Sequence, residues 1–264
     1  MRYFLRLAYN GSPFHGWQRQ PDAMSVQQRI EEVLSLILRS NIEVTGAGRT
    51  DTGVNASEMF AHFDVENPVK DTSRFLHSIN SLLAPSIVVF ELLPVKTNAH
   101  ARFDALTRTY HYYVCHLRSP FYREFEWFCP SPLDYEKMNE AAKLLIGTQD
   151  FTSFSKLHTD VKNNICTVSE ASWQPFTVIA AQPDHTQRFY FRITANRFLR
   201  NMVRAVVGTL VEVGRGKMSL REFSEVINKK DRGAAGDSMP GNALFLHKIT
   251  YPKEIFLSDE LQTN

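Results

Sequence analysis

Cysteine is scarce in this chain of 264 residues, which contains only Cys115, Cys129 and Cys166. Their number is odd and their spacings are wide, which argues against a disulfide framework and against a C-x-x-C metal or redox site. The nine histidines form no H-E-x-x-H motif or other close ligand set. We therefore expect a protein without a metal, a redox pair or any other cofactor.

Long apolar runs are lacking as well, and neither a signal peptide nor a membrane-spanning segment is expected. Charge of one sign is not in excess, because 30 Lys and Arg oppose 28 Asp and Glu, for a net charge of +2. Any binding of nucleic acid would have to rest on local basic clusters. These features predict a cytoplasmic protein.

Hydrophobic periodicity predicts two related halves, residues 1–105 and 106–264, in which strands and helices alternate. Mostly antiparallel sheets are expected, so the fold class is α+β. Helices are predicted after Ser25, after Asp71 or Thr72, after Asp134 and after Ser219, and another across Phe198–Leu210. Ser25 and Gln28 are expected to form a capping box, and the helix after Asp134 is expected to end at Gly147. Strands are predicted at Tyr3–Tyr9, Met59–Val65, Ile87–Leu93, Arg108–Leu117, Thr167–Ala180, Arg188–Thr194 and Ala243–Tyr251, with a turn at Gln182–His185. Asp51 is therefore expected on a loop that leads into the strand Met59–Val65.

The segment GAGRTDTGVNA, Gly46–Ala56, places the D-T-G tripeptide of aspartic proteases at Asp51. Such a protease shares one proton between two carboxylates, but here Arg49 and Thr50 precede Asp51, and the chain has no second D-T-G or D-S-G. A nearby guanidinium and hydroxyl favour an ionised carboxylate, as a nucleophile or base requires. The protease alternative is weak, whereas a simple glycine-rich turn remains an alternative to a catalytic role.

Two groups of basic residues suit an RNA ligand. Arg197, Arg200 and Arg204 are spaced to share one helix face, and no acidic residue lies between Asp184 and Glu212 to pair with them. The second group combines Arg102, Arg108 and His111 with Phe103, Tyr110, Tyr112 and Tyr113. Cations can bind phosphate, and rings can stack on unpaired bases. The alternatives are a solvated helix face for the arginines and core packing for the rings.

Several separated segments resemble the tRNA pseudouridine synthase A (TruA) family from about Tyr3 to Pro252. They are YNGSPFHGWQRQ, SVQQRIEEVL, GAGRTDTGVNASEMFAHF, INSLLAP, AHARFDALTRTYHYYV, DFTSFSK, NRFLRNMVRAVVGTLVEVGRGK and ALFLHKITYP. The G-R-T-D-x-G-V segment is specific to this group of enzymes. The resemblance implies that Asp51 is the catalytic residue of uridine isomerisation.

The resemblance also implies substrate-binding residues. Tyr110 would pack against the target base, Leu244 would line the base pocket, and Arg204 would pair with the aspartate. We expect Arg49, Arg197 and Arg200 to bind the RNA as well. The family commonly has G-V-H-A where this chain has Gly53–Ala56, and a G-L-Y-L-like stretch where it has Ala243–Leu246.

The implied fold consists of two ferredoxin-like (RNA-recognition-like) domains whose sheets join side by side around a basic cleft. The implied enzyme is a homodimeric isomerase, a tRNA pseudouridine(38-40) synthase, and its substrate is the anticodon stem-loop of tRNA. Three roles are open to Asp51: attack on C1′, attack on C6, or removal of a sugar proton. A rival interpretation is a non-catalytic RNA-binding protein that keeps this fold.

Overall fold

The computed structural model describes residues 1–156, 163–178 and 188–257. By internal contact the chain forms two compact units, which we call unit 1 and unit 2. Unit 1 comprises residues 1–107 and the C-terminal segment from Leu246, and unit 2 is Arg108–Phe245. Helices and mainly antiparallel strands occur in both units, which confirms the α+β class.

Unit 1 begins with the element order β-α-β-β-α-β. Its elements are β1 (Arg2–Tyr9), α1 (Val26–Leu38), β2 (Thr45–Gly46), β3 (Asn55–Asp64), α2 (Thr72–Leu82), β4 (Ile87–Val95) and the residues from Leu246 of β10 (Leu244–Thr250). The strands follow the order β4-β1-β3-β10, and the short β2 pairs with β3. Both β3 and β4 are antiparallel to β1, so β1 lies in the centre of this sheet.

Both faces of the unit 1 sheet are covered by apolar side chains. Helices α1 and α2 bury Ile30 and Ile79 completely. On the other face the ring of Phe4 meets Tyr251 and Phe256, with centroid distances of 5.3 and 6.0 Å. Residues that follow the last strand therefore complete the core of unit 1.

Unit 2 has a sheet of order β5-β9-β8-β7, with the short β6 parallel to β5. Its elements are β5 (Thr107–Cys115), β6 (Trp127–Phe128), α3 (Tyr135–Lys143), β7 (Gly147–Asp150), β8 (Ile165–Pro175), β9 (Arg188–Ala195), α4 (Met202–Gly214) and α5 (Leu220–Lys229). Helix α4 is buried over most of its length, because it packs between the other helices of the unit.

Short polar signals set the helix starts, as predicted. Asp71 caps α2, and Ser219 forms a full capping box at α5. At α1 the Ser25 hydroxyl accepts the N–H of Gln28 at 3.2 Å, but the Gln28 side chain donates to Glu32 at 3.0 Å. Only half of the predicted capping box therefore forms there.

Some predicted bounds differ from the structure. Helix α3 ends at Lys143 and not at Gly147, since Gly147 instead opens β7 with φ 108°. Strand β8 ends at Pro175, short of the predicted Ala180. The predicted turn Gln182–His185 lies outside the described residues.

A buried ion pair lies in unit 2. Arg188 donates to Glu126 at 3.0 Å, and the two side chains are 5% and 4% exposed. Burial raises the pKa of the neighbouring Cys115 thiol to about 12, and the charge of Glu126 adds to the effect. Cys115 and the other two cysteines are free and buried, so the thiol behaves as a core group.

Candidate active site

Asp51 begins a tight turn that leads into β3. Its carbonyl oxygen accepts the N–H of Val54 at 3.1 Å, and Gly53 has φ 76°, as the third residue of a type II turn requires. The Asp51 residue is half-buried, and Asn55 is the first residue of the strand. The prediction that Asp51 lies on a loop feeding a strand is therefore confirmed.

Thr50 fixes the backbone on the N-terminal side of Asp51. Its hydroxyl forms a buried hydrogen bond with the Tyr9 hydroxyl at 2.9 Å, and its carbonyl oxygen accepts the N–H of Trp17 at 3.2 Å. Tyr9 and Trp17 are themselves in ring contact, with centroids 6.0 Å apart. The peptide before Asp51 is thus attached to β1 and to the loop that follows β1.

Two glycines let the loop after β1 pass against the Asp51 turn. Gly16 has φ 85°, and a Cβ there would lie 2.4 Å from the Thr50 carbonyl oxygen and 3.2 Å from the Asp51 carbonyl carbon. A Cβ on Gly11 would lie 2.1 Å from the Val54 carbonyl oxygen. Any side chain at either position would therefore displace backbone of the turn.

Asn55 ties the same two loops together, a role that the sequence did not reveal. Its side chain is 1% exposed, and its Oδ1 accepts the backbone N–H of Gly11 at 2.8 Å. A polar residue at the buried first position of a strand is the signal that points to such a bond. The family's usual histidine is therefore replaced here by a residue with a structural contact.

Arg49 is exposed, and its Nε donates to Gln18 Oε1 at 3.1 Å. The sequence predicted that Arg49 and Thr50 together place a cation and a hydroxyl beside the Asp51 carboxylate. In the structure the Thr50 hydroxyl forms a hydrogen bond with the Tyr9 hydroxyl. Each of the two side chains is thus held by a residue of β1 or of the loop that follows it.

Tyr110 lies on β5 and is half-buried. The ring of Phe198 packs edge-on against it, with centroids 5.0 Å apart and an interplanar angle of 82°. Tyr112, two residues along the strand and so on the same face, is completely buried. Core packing is the correct interpretation for Tyr112, whereas the Tyr110 ring keeps part of its surface accessible.

Arg204 lies in the first turn of α4 and is half-buried. Its Nε donates to the Met239 carbonyl oxygen, and its own carbonyl oxygen accepts the Met239 N–H at 3.2 Å. Burial raises the pKa of the Tyr112 hydroxyl, and the positive charge of Arg204 opposes that rise. The charge of Arg204 therefore acts on the Tyr112 hydroxyl, and Tyr112 lies on the face of β5 that also carries Tyr110.

The prediction that Arg197, Arg200 and Arg204 share one helix face is wrong. Arg197 and Arg200 precede α4, because Asn201 adopts φ 66° and the helix begins only at Met202. Arg200 is exposed, and Arg197 donates to Asn163 Oδ1 at 3.4 Å. Both arginines thus lie on the loop that leads into the helix, and only Arg204 is helical.

Leu244 opens β10 and is 5% exposed. The next residue, Phe245, packs edge-on against Tyr113 with centroids 5.3 Å apart.

Asp51 and Arg49 belong to unit 1, and the other site residues that the sequence predicted belong to unit 2. Within the described residues no three His, Cys, Asp or Glu side chains cluster as metal ligands do. No described helix is long and apolar enough to span a bilayer.

Two imidazoles hold the turn at residues 100–104 of unit 1. His62 Nδ1 accepts the N–H of Ala101, and His100 Nδ1 accepts the N–H of Arg102, each at 3.1 Å. The ring centroids of the two histidines are 4.7 Å apart. A ring nitrogen accepts a hydrogen bond only when it carries no proton, so this turn requires both Nδ1 atoms to be unprotonated.

Lowering the pH from about 7 to about 4.5 should destabilise the protein through His62. The pKa of its imidazole is lowered from 6.5 to about 4, first by burial and then by the charges of Arg2 and His100, against the opposing charges of Asp64 and Asp104. Between these values the unfolded chain binds a proton that the folded chain refuses, so stability falls as the pH falls. We expect a loss on the order of 1 kcal/mol, or about 2–4 °C in Tm.

The matched variant is His62→Asn, whose amide oxygen can still accept the N–H of Ala101 but does not titrate. Thermal unfolding of both proteins at the two pH values measures the difference. The wild type should lose more Tm than the variant on acidification. Equal losses would show that His62 takes no proton on unfolding.

Comparison with known proteins shows the family of this chain. A sequence model described as tRNA pseudouridine synthase matches residues 141–252. The curated tRNA pseudouridine synthase A of Bacteroides fragilis is 51% identical over 97% of this chain and 98% of its own length. That of Bacteroides thetaiotaomicron is 53% identical over 97% and 92%, and that of Bacillus subtilis is 36% identical over 95% and 99%. The chain belongs to the tRNA pseudouridine synthase A family, which confirms the resemblance.

Proposed function

We propose that this protein isomerises uridine to pseudouridine in the anticodon stem-loop of tRNA, with Asp51 as its catalytic residue. Family membership provides the reaction class, an isomerase that acts on tRNA. The observation that supports the assignment of Asp51 is its turn: a half-buried residue whose backbone is fixed through Thr50, Gly16 and Asn55. Such preorganisation is what a group that must meet one atom of a substrate needs.

The reaction breaks the bond between N1 and C1′, turns the base, joins C5 to C1′ and releases the C5 proton, while N1 takes up a proton. The product is an isomer of the substrate and no oxidation or reduction occurs. A carboxylate that acts as a nucleophile or a base is therefore sufficient for the reaction. Asp51 supplies that carboxylate. The turn bond uses its backbone oxygen, so the turn does not depend on the charge of the side chain.

Recognition of the target needs both a stacking surface and cations. A base inside a stem or loop must be flipped out, at a cost of a few kcal/mol. We assign Tyr110, against which Phe198 packs edge-on, to stacking on that base, and we assign Leu244 and Arg204 to base binding as well. Arg49, Arg197 and Arg200 are assigned to backbone phosphates.

We further propose a cytoplasmic homodimer, since one chain offers limited surface for gripping a stem while flipping a base. Each unit is proposed to be ferredoxin-like. The β-α-β-β-α-β order of unit 1, with β1 between β3 and β4, supports this for the first unit.

The function is tested by tritium release from tRNA that carries the label at uridine C5. We expect release without added nucleotide and in the presence of a chelator, because isomerisation removes the C5 proton and needs no metal. A matched tRNA with the uridines of the anticodon stem-loop replaced by cytidine should release none. Binding of the labelled tRNA without release would instead support the non-catalytic RNA-binding interpretation.

A further inference from the structure

A small pocket lies in unit 1 beside the loop that carries Asp51. It has a volume of about 170 Å³, and its wall includes Trp17, Gln18, Gly46, Gly48, Arg49 and Arg102. Gly46 is required there, because a Cβ on it would lie 2.4 Å from the Trp17 indole. At Gly48, in contrast, a Cβ would meet no atom within 4 Å, so the loop leaves open space at this point.

The wall of the pocket is cationic. Arg49 and Arg102 are both exposed, and no Asp or Glu belongs to the lining. Glu31 accepts hydrogen bonds from two lining residues, Gln27 and Val44, and its charge is paired with Arg19 at 3.1 Å. Two guanidinium groups that line one small pocket make its field positive, and a positive field attracts anions, which points to an anionic ligand.

Hydrogen bonds hold the side chain of Arg49 and the backbone of Arg102. Arg49 is oriented by its bond to Gln18. The backbone of Arg102 is fixed by His100, and the turn is closed by a bond of 2.7 Å from the His100 N–H to Asp104 Oδ2. Part of the freedom of the Arg49 side chain and of the Arg102 backbone is therefore lost before a ligand binds.

The surroundings of the pocket fit RNA better than a free metabolite. Phe103 is 74% exposed, and the guanidinium of Arg102 lies over its ring, 5.7 Å from the centroid. An exposed ring beside an arginine is typical of surfaces that stack a base while they bind its phosphate. The pocket has room for a phosphate group, and guanidinium groups bind phosphate oxygens in a bidentate manner.

We propose that this pocket binds one backbone phosphate of the tRNA, shared between Arg49 and Arg102. The proposal rests on the proposed function, because its ligand is the substrate of that reaction. It assigns Arg102 to the substrate surface of unit 1. A phosphate held there lies next to the Asp51 turn, since Arg49 is two residues before Asp51.

The test measures the affinity for tRNA as a function of salt in Arg102→Gln. Loss of one phosphate contact should reduce the slope of log affinity against log salt by about 0.7–0.9, with affinity several-fold weaker at low salt. Arg102→Lys keeps the charge and should keep the slope. Arg74→Gln, a matched change of an exposed arginine on α2, should also leave the slope unchanged.

Sharing of one phosphate is tested with Arg49→Gln and the double variant. If both arginines bind the same group, the double variant should be weakened by less than the product of the two single factors. Multiplicative factors would overturn the shared pocket, and an unchanged slope in Arg102→Gln would overturn the phosphate contact. If the wild type releases tritium normally, either of these results contradicts only the phosphate pocket and not the proposed function. The proposed function is contradicted if the wild type releases no tritium.

Discussion

Asp51→Asn should abolish pseudouridine formation almost completely while tRNA binding persists. The amide keeps nearly the shape of the carboxylate but cannot act as a nucleophile or base, so we expect the rate to fall by about 10³-fold or more. The turn survives because its hydrogen bond joins the Asp51 carbonyl oxygen to the Val54 N–H. Affinity for tRNA should be equal or higher, since a negative charge near the RNA backbone is removed.

Two further variants sharpen this result. Asp51→Glu should also fail, because one methylene displaces the carboxylate by about 1 Å from its target. Asp71→Asn makes the same chemical change at an exposed helix cap, where an amide also caps, and should retain wild-type activity. Single-turnover tritium release and tRNA affinity are the measurements. A folded Asp51→Asn protein that forms pseudouridine at the wild-type rate would remove Asp51 from the chemistry.

Gly16→Ala should reduce the rate of the reaction by about 10–100-fold, with little change in tRNA affinity. The new Cβ would stand 2.4 Å from the Thr50 carbonyl oxygen and 3.2 Å from the Asp51 carbonyl carbon, both backbone atoms that cannot turn away. The peptide that positions Asp51 must therefore move, and a shift of about 1 Å at a reacting group can cost 10²-fold. The residues that we assign to phosphate contacts are not changed, so affinity should change by less than about threefold.

The control for this variant is Gly216→Ala. Gly216 also has a positive φ, 70°, but a Cβ there meets no atom within 4 Å. This variant carries the backbone strain of a left-handed alanine, about 1 kcal/mol, without the overlap, and should keep the wild-type rate. Thermal unfolding compares the strain of the two variants, and single-turnover rates isolate the effect on Asp51. An equal loss of rate in both, or none in Gly16→Ala, would contradict the positioning role.

Short-range sequence signals were sufficient to predict several helix starts, the turn after Asp51 and the family of this protein. Ser25 and Asp71 mark helix starts because a side-chain oxygen accepts an N–H only three residues away. Gly53 marks the turn after Asp51 because only a residue tolerant of positive φ fits there. The specific segment around Asp51 indicated the family, and the full-length relatives confirm it.

Predictions from local sequence patterns were wrong or incomplete where the structure depends on a contact between distant residues or on one backbone angle. Helical spacing predicted that the three arginines share one helix face, but Asn201 takes a left-handed conformation and α4 begins only at Met202. The two-residue strands β2 and β6 were missed, because periodicity cannot be seen in two residues. Tyr110 and Tyr112 look alike in sequence, and only packing decides that one is accessible and the other is core.

The assignment of Asp51 as the catalytic candidate thus came from the sequence, whereas the placement of its turn was decided by the tertiary structure. Its motif is a local string of residues, readable without a fold. The bond from the Gly11 N–H to Asn55, the Tyr9–Thr50 bond and the close approach of Gly16 join residues more than 30 positions apart. Such contacts exist only after β1 and β3 have paired, because the pairing sets which backbone atoms meet.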